Sequence, residues 1–447
     1  MIELLIGTLV TLAVGRYIFK GYSATGVLLS GGLLLLAITA LMGKAVLPAS
    51  VPSTGHMATD IFEYVRFLLV DRGGGLGMLI MVLCGFAGYM SHIGANTILV
   101  KLASKPLGVI KSPYILLVAA YLVACAMSLA VSSATGLGVL LMATLFPLMV
   151  NMGISRGAAA AVCASPAAII LSPTSGDVVM AAQAANMELI EFAFKLTLPI
   201  SLVAIAAMAV THFFWQRYLD QKAGEHNAAV APSDLVTDAP GFYAILPFTP
   251  IIGVLLFDGK LGPKLDIVTI IVICLVLAAL LELVRKRNGR ELLDGLQVCW
   301  RNMADAFAGV VMLLVGAGVF AQGLMGLGFI ANLLDLAQSF GTGGIVIMLV
   351  LVVITTLAAF TTGSGNAPFY AFVELIPHLA TSLGVNPAYL VIPMLQASNL
   401  GRTISPVSGV VVACAGMGNL SPFEVVKRTS LPVAVGLLVV ILATQIM

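Results

Sequence analysis

The chain is 447 residues long, 60% hydrophobic and only 9% charged, with 22 basic and 20 acidic residues giving a formal net charge of +2. Soluble domains carry about 25% charged residues, so this composition excludes a water-dissolved enzyme and a polyanion-binding surface, and nucleic acid is not an expected partner. The six cysteines are scattered singly, without metal-ligand or redox spacing, so no metal or other cofactor is expected.

Apolar runs long enough to span a bilayer lie near residues 2 to 15, 24 to 42, 75 to 92, 113 to 131, 196 to 215, 241 to 257, 266 to 284, 306 to 330, 342 to 360 and 429 to 446. They predict an all-α polytopic membrane protein with about ten crossings. The first run has no basic region before it and no small-residue cleavage site soon after it, so it reads as an uncleaved span. Polar segments interrupt the pattern at 45 to 73 and at 285 to 304, the second opening RKRNGR and suited to an interfacial helix. The stretch QRYLDQKAGEHNAAVAPSDLVTD at 216 to 238 cannot bury enough apolar surface to fold alone. The expected organisation is a first repeat over 1 to 216, a linker over 217 to 240 and a second repeat over 241 to 447. Basic residues favour the cytoplasmic side of short loops. That rule places Arg16, Lys20, Lys101, Lys105, Lys111, Arg217, Lys222, Arg285, Lys286, Arg287, Arg290 and Arg301 inside, with the linker inside and both termini outside.

Residues 164 to 200 align without a gap on 397 to 433 at a shift of 233. The alignment pairs Ser165 with Ser398, Ser172-Pro173 with Ser405-Pro406, Ser175-Gly176 with Ser408-Gly409, Asn186 with Asn419, Glu191 with Glu424 and Leu198-Pro199 with Leu431-Pro432. Chance likeness between two apolar segments would not keep serine, proline, glycine, asparagine and glutamate in register. With an odd number of topological reversals between the copies, the expectation is two inverted-topology repeats, the plan of many secondary carriers.

Within lipid every backbone amide needs a partner, so Ser-Pro-x-Ser-Gly is tolerated inside a helix only where it is buried in protein or lines a wet cavity. SPTSG at 172 to 176 and SPVSG at 405 to 409 are such interruptions, and they nominate Ser172, Thr174, Ser175, Ser405 and Ser408. Each creates a half-helix whose N-terminus carries partial positive charge and suits an anion. The residues flanking the breaks add Ser165, Ser398, Asn399 and Thr403. A second element in each copy is a polar cluster, VSSATGLG at 131 to 138 and TTGSGNAP at 361 to 368, which contributes Ser132, Ser133, Thr135, Thr361, Thr362, Ser364 and Asn366. Each cluster precedes an apolar arm of about 15 residues, short for a crossing, which predicts re-entrant hairpins within hairpin-plus-broken-helix units at about 131 to 195 and 361 to 428.

A lone Ser or Thr in an apolar run ordinarily bonds back to a helix carbonyl; recurrence in both copies favours contact with a solute. Charges at membrane depth are costly and usually functional. Arg402, three residues before the second Ser-Pro break, is the leading substrate contact, because a planar guanidinium pairs with a carboxylate through two hydrogen bonds. Asp177 has Val410 as its counterpart, so it stands as a candidate ion-coupling group or a structural cap. Glu374, His378, His92 and Asp305 read as satisfied structural groups.

At these residues the chain resembles the DcuC-type anaerobic carriers of four-carbon dicarboxylates in the ion-transporter superfamily. The resemblance runs nearly end to end through GYSATGVL, SHIGAN, SLAVSSATGLGVLLMATLFP, ISRGAAAAVCASPAAIILSPTSGDVV, FYAILPFTPIIGV, TTGSGNAPFYAFVE and IPMLQASNLGRTISPVSGVVVA. It implies multi-pass residence in the bacterial inner membrane and transport of succinate, fumarate or malate by exchange or ion-coupled movement. Wider relatives imply a homodimer and a transport domain that slides as an elevator. Their hairpin tips carry Ser-Asn-Thr triplets that each grip one carboxylate. Ser132-Ser133-Ala134-Thr135 and Thr362-Gly363-Ser364-Gly365-Asn366 depart from that triplet, which leaves the coupling ion open between proton, sodium and none. A sodium/proton antiporter using Asp177 and Asp305 is the alternative. A membrane-embedded enzyme lacks support, since the chain has no HExxH and no Ser-His or paired-Asp arrangement.

Overall fold

Helix is the only regular secondary structure among the described residues of the computed structural model, which are 2–20, 22–48, 51–173, 175–223, 237–257, 262–329 and 343–446. A chain this apolar has little alternative, because a lipid-facing segment must satisfy its own backbone. Helices α1 (Ile2–Phe19) and α2 (Ala24–Leu41) meet at Ser23, whose hydroxyl accepts the Gly26 amide and caps α2. Helices α3 (Met57–Gly74) and α4 (Leu76–His92) meet at Gly75 with a bend of 44°. Then come α5 (Ala95–Ser104) and α6 (Pro113–Met127).

The first punctuated stretch folds as α7 (Ala134–Asn151), α8 (Arg156–Ala164) and α9 (Gly176–Ala184), and a π-helical turn over Glu191–Thr197 leads into α10 (Leu198–Ala223). A 3-10 segment, Gly241–Phe248, precedes α11 (Thr249–Leu256), and α12 (Ile267–Lys286) follows. Helix α13 (Gly289–Ala306) runs through a π-helical turn, Phe307–Val311, straight into α14 (Met312–Leu327). The second punctuated stretch follows α15 (Gly343–Thr362) as α16 (Asn366–Val373), α17 (Ile376–Leu383), α18 (Pro387–Thr403) and α19 (Gly409–Gly418), and α20 (Pro422–Thr444) closes the described chain.

The largest apolar core gathers the two punctuated stretches. Four consecutive alanines, Ala158 to Ala161, have no exposed surface, and their small side chains let α7, α19 and α20 close around α8. Helix α18 is equally enclosed, between α15, α20, α9 and α16. A second core joins α4, α12 and α13, and a third joins α2, α3 and α14. Helices α2 and α14 touch backbone to backbone at Gly32, where a Cβ would stand 2.5 Å from the Phe320 amide nitrogen.

Four expectations change. Among the described residues seven helices are individually long and apolar enough to cross, or eight if the bent α3–α4 pair is one span, against the ten expected. The run at 113 to 131 gives a helix of only 15 residues, and the run at 241 to 257 gives one short apolar helix, Gly241–Leu256, that begins as 3-10 helix and contains Pro247 and Pro250, which supply no amide hydrogen. Conversely, the arm after the first polar cluster is an 18-residue helix, α7, which itself meets the length and hydropathy of a span. The segment at 285 to 304 spans the end of α12, a two-residue connection and most of α13, and α13 is not separate but the start of a continuous helix of 39 residues, Gly289–Leu327. At 1.5 Å per residue that helix is about 58 Å long against a hydrocarbon core of about 30 Å, so it tilts steeply or projects beyond the core. Helix also persists through Ala223, past the expected start of the linker, whose residues 224 to 236 lie outside the described residues.

Candidate substrate site at the paired helix breaks

Each Ser-Pro segment opens its helix in the same way. After α8 a short 3-10 turn, Pro166–Ala168, hands over to extended backbone at Ile169, and α9 restarts at Gly176. In the second copy α18 ends at Thr403 and α19 restarts at Gly409. The Ser175 amide donates to the Ser172 carbonyl at 3.2 Å, and the Ser408 amide donates to the Ser405 carbonyl at the same distance. Both N-cap residues, Ser175 and Ser408, are extended, and neither side chain caps its helix. The first-turn amides of α9 and α19 are thus left for other partners, with the positive ends of both helix dipoles behind them. Backbone freed by the first break is repaired from the second copy: the Ile170 amide donates to Gln396 Oε1 at 3.0 Å, and Gln396 Nε2 donates to the Ile170 carbonyl at 3.4 Å.

Two adjoining cavities flank these breaks. The larger, about 1000 Å³, is lined by Ser132, Ser133, Ser172, Ser175, Asp177, Tyr370 and Asn399. The smaller, about 370 Å³, is lined by Gly363, Ser364, Ser408 and Gly409. Thr135, Asn366 and Arg402 belong to the walls of both. Arg402, in the last turn of α18, donates from Nη2 to the Ala167 carbonyl at 3.2 Å, and its buried Nε has no partner. The carboxylate whose charge acts on it is Asp177. Asp177 is 4% exposed, and its Oδ1 accepts the Tyr370 hydroxyl at 2.7 Å, a bond between the two copies. The Oδ1 of Asn399 and the Oγ of Ser408 are also buried without partners. Three unsatisfied polar atoms around one break are unusual in a native interior and give a polar solute something to bind.

Other nominated residues stay out of the cavities. Ser165, Ser398 and Thr403 are buried and bond back to helix carbonyls, of Ala161, Leu395 and Asn399 respectively. Thr361 and Thr362 likewise turn back to the Ala358 carbonyl. The Ser405 hydroxyl is fully buried and accepts the Val407 amide at 3.4 Å. Thr174 lies outside the described residues. Sequence reasoning missed Tyr370, which carries no signal beyond a tyrosine in an apolar run, and Asn302, which reaches the larger cavity from α13. Among the described residues no three His, Cys, Asp or Glu side chains group to hold a metal ion.

An all-helical, multi-pass chain that closes polar cavities around interrupted helices is built as a membrane transporter. Its fold matches the crystal structure of the Alcanivorax borkumensis YdaH transporter with a TM-score of 0.64 at 18% identity, over 94% of this chain and 97% of that one. It also matches Neisseria gonorrhoeae MtrF, described as one of a class of antimetabolite efflux pumps, with a TM-score of 0.57 at 13% identity over 94% of each chain.

The chain belongs to the C4-dicarboxylate anaerobic carrier family, DcuC, whose model matches residues 2–447. It is 70% identical over 446 residues to the anaerobic C4-dicarboxylate transporter DcuC of Escherichia coli strain K12, covering all of this chain and 97% of that protein. It is 62% identical over 450 residues to the probable anaerobic C4-dicarboxylate transporter DcuC of Vibrio cholerae, covering all of this chain and 98% of that protein. It is a multi-pass protein of the bacterial inner membrane, in a family of transporters and not of enzymes.

Proposed function

We propose that the chain carries C4-dicarboxylates such as succinate, fumarate and malate across the inner membrane as a secondary carrier with a single central site and alternating access. Arg402 is the observation that supports this most. Its guanidinium stands on the wall common to both cavities, one nitrogen unpartnered, between the uncapped starts of α9 and α19. A guanidinium binds a carboxylate as a fork, and each helix N-terminus adds about half a positive charge. One substrate carboxylate sits against Arg402 and Ser408. The other faces Ser132, Ser133 and Ser175 at the start of α9, with Thr135 and Asn366 along the carbon chain. Asp177, held by Tyr370, is the counter-charge of Arg402 in the empty carrier and the group through which a proton couples.

Two inverted repeats, 1 to 216 and 241 to 447, underlie this site. The reading is supported by paired left-handed residues at the shift of 233, Asn186 with φ 54° and Asn419 with φ 50°. Alternation is an elevator movement of α6 to α10 and α15 to α20 against the remaining helices.

Counterflow in proteoliposomes tests the reading. Preloaded succinate accelerates uptake of labelled succinate by the wild-type protein. Arg402→Ala lowers that exchange about 100-fold, the equivalent of a charge-assisted hydrogen bond of about 3 kcal/mol, and Arg402→Lys, which keeps the charge but not the fork, is a partial defect. Normal exchange by Arg402→Ala refutes the assignment. The burial of Asp177 favours one competitor, a sodium/proton antiporter; in that case preloaded succinate leaves labelled succinate uptake unchanged.

A further inference from the structure

The larger cavity does not end at the breaks. Ser91, His92 and Thr97 on its wall also line a further cavity of about 520 Å³, which reaches Glu282, Arg285 and Lys286 at the end of α12 and Asp294 in α13. The turn between α4 and α5, SHIGAN at 91 to 96, therefore stands where the two spaces join. Gly94 makes that turn at φ +78°, and a Cβ there would come within 2.5 Å of Thr237 Oγ1. Helix α5 starts directly behind it with no side-chain cap, so its first amides face the turn unshared.

Asn96, in the first turn of α5, supplies an independent sign of a ligand. It is 4% exposed, it lines the larger cavity, its Nδ2 donates to Ser91 Oγ at 2.7 Å, and its Oδ1 has no partner. Nitrogen and oxygen of an amide are interchangeable by a flip. As placed, the free atom is an acceptor; turned over, Asn96 accepts the Ser91 hydroxyl on Oδ1, in exchange for the 3.2 Å bond which that hydroxyl now gives the Ala87 carbonyl, and presents Nδ2 to the cavity as a donor for an anion. Both cations of the outer cavity are already paired, Arg285 with Glu282 and with Asp238 at 3.0 Å and Lys286 with Glu291, and Glu282 also accepts from the Tyr243 hydroxyl at 2.7 Å, whereas Asp294 stands without an ion-pair partner among the described residues. The attraction on offer is thus local to the turn, from helix dipole, amide and the Thr97 hydroxyl.

We infer that the SHIGAN turn is a second, weaker carboxylate-binding subsite, where a dicarboxylate arriving from the cytoplasm is held before it moves on to Arg402. The inference rests on the dicarboxylate reading of the central site. The cytoplasmic side follows from the basic residues at the end of α5 and in the connection from α12 to α13, Lys101, Lys105, Arg285, Lys286, Arg287 and Arg290.

Asn96→Asp keeps an acceptor for Ser91 while placing a negative charge at the junction, and Thr97→Val removes one hydroxyl. Labelled succinate exchange by the full-length protein is measured in inside-out and right-side-out membrane vesicles. Asn96→Asp raises the KM on the cytoplasmic face about tenfold, as one charge repelling another across a half-buried site should, without changing the KM on the opposite face or the saturated rate. Thr97→Val raises the cytoplasmic KM about threefold. Equal KM changes on both faces, or a lowered saturated rate at unchanged KM, mark a merely structural turn and overturn the subsite. Should Asn96→Asp fail to insert, Thr97→Val decides, and an unchanged cytoplasmic KM overturns it. Failure of the central reading looks different, as absence of succinate counterflow in the wild-type protein.

Discussion

Lys195 and Arg428 occupy equivalent positions at the shift of 233, each four residues after a matched glutamate, Glu191 or Glu424. Both form the same intrahelical ion pair, at 2.8 Å and 2.7 Å. Their surroundings differ. The Lys195 side chain is 72% exposed, whereas that of Arg428 is 2% exposed and also donates to Asp220 at 2.6 Å. A surface pair contributes little, but removing one partner of a buried network strands a charge at a cost of about 3–5 kcal/mol. Thermal unfolding in detergent should therefore show a large loss of stability for Arg428→Ala and an unchanged melting temperature for Lys195→Ala. Register paired the two glutamates, but nothing in either local sequence says which copy is enclosed, because burial depends on α10 lying over α20 and bringing Asp220 from more than 200 residues away.

At the scale of the element, an interrupted helix needs its backbone repaired, and the two breaks are repaired differently. Gln396 serves the Ile170 peptide unit as a backbone strand would. Gln396→Leu leaves the Ile170 amide unpaired in an apolar core, an expected loss of about 1–3 kcal/mol, readable as a lower melting temperature. The second break instead rests on the turn between α15 and α16. There Gly363 holds φ +69°, and a Cβ would lie 2.8 Å from the Val407 carbonyl oxygen and 2.9 Å from the Ser408 amide nitrogen. Gly363→Ala is strained in both conformation and space, so it pushes the break away from the site; the expected result is normal insertion with a raised succinate KM in proteoliposomes. Both breaks, both turns and the paired Asn186 and Asn419 were legible, because serine, proline, glycine and asparagine are costly in an apolar helix and repeat only where geometry demands them. The repair was not legible, since the counterpart of Gln396 is Cys163. Recurrence also misled in one respect: Ser165 and Ser398 match across the copies yet both fold back onto their own helices, because a structural role repeats with the fold as faithfully as a binding one does.

For the whole molecule, the informative line is the seam beside the continuous helix of α13 and α14. Asp294 on that helix borders the outer cavity, Val298 and Asn302 the larger one, and Leu313 the smaller. One helix thus borders all three cavities, which suits the proposed elevator movement as a rail suits a sliding part. The proposed sliding would have to break whatever polar contacts cross the seam. Arg72 at the end of α3 meets Glu374, just after α16, at 2.8 Å, with side chains only 17% and 12% exposed. Arg72 Nε and Glu374 Oε1 have no partners. A pair with unused capacity on both sides is bonded less completely than a permanent buried bridge requires, which suits a contact made in one state and released in another. In a cysteine-free background, the Arg72→Cys and Glu374→Cys double variant bridged by a short bis-maleimide should lose succinate exchange, and a cleavable form of the same linker should restore it on reduction. Exchange that continues at the unbridged rate means that α3 and α16 travel together, and the elevator movement proposed for this fold would have to be replaced by rearrangement within the hairpins alone.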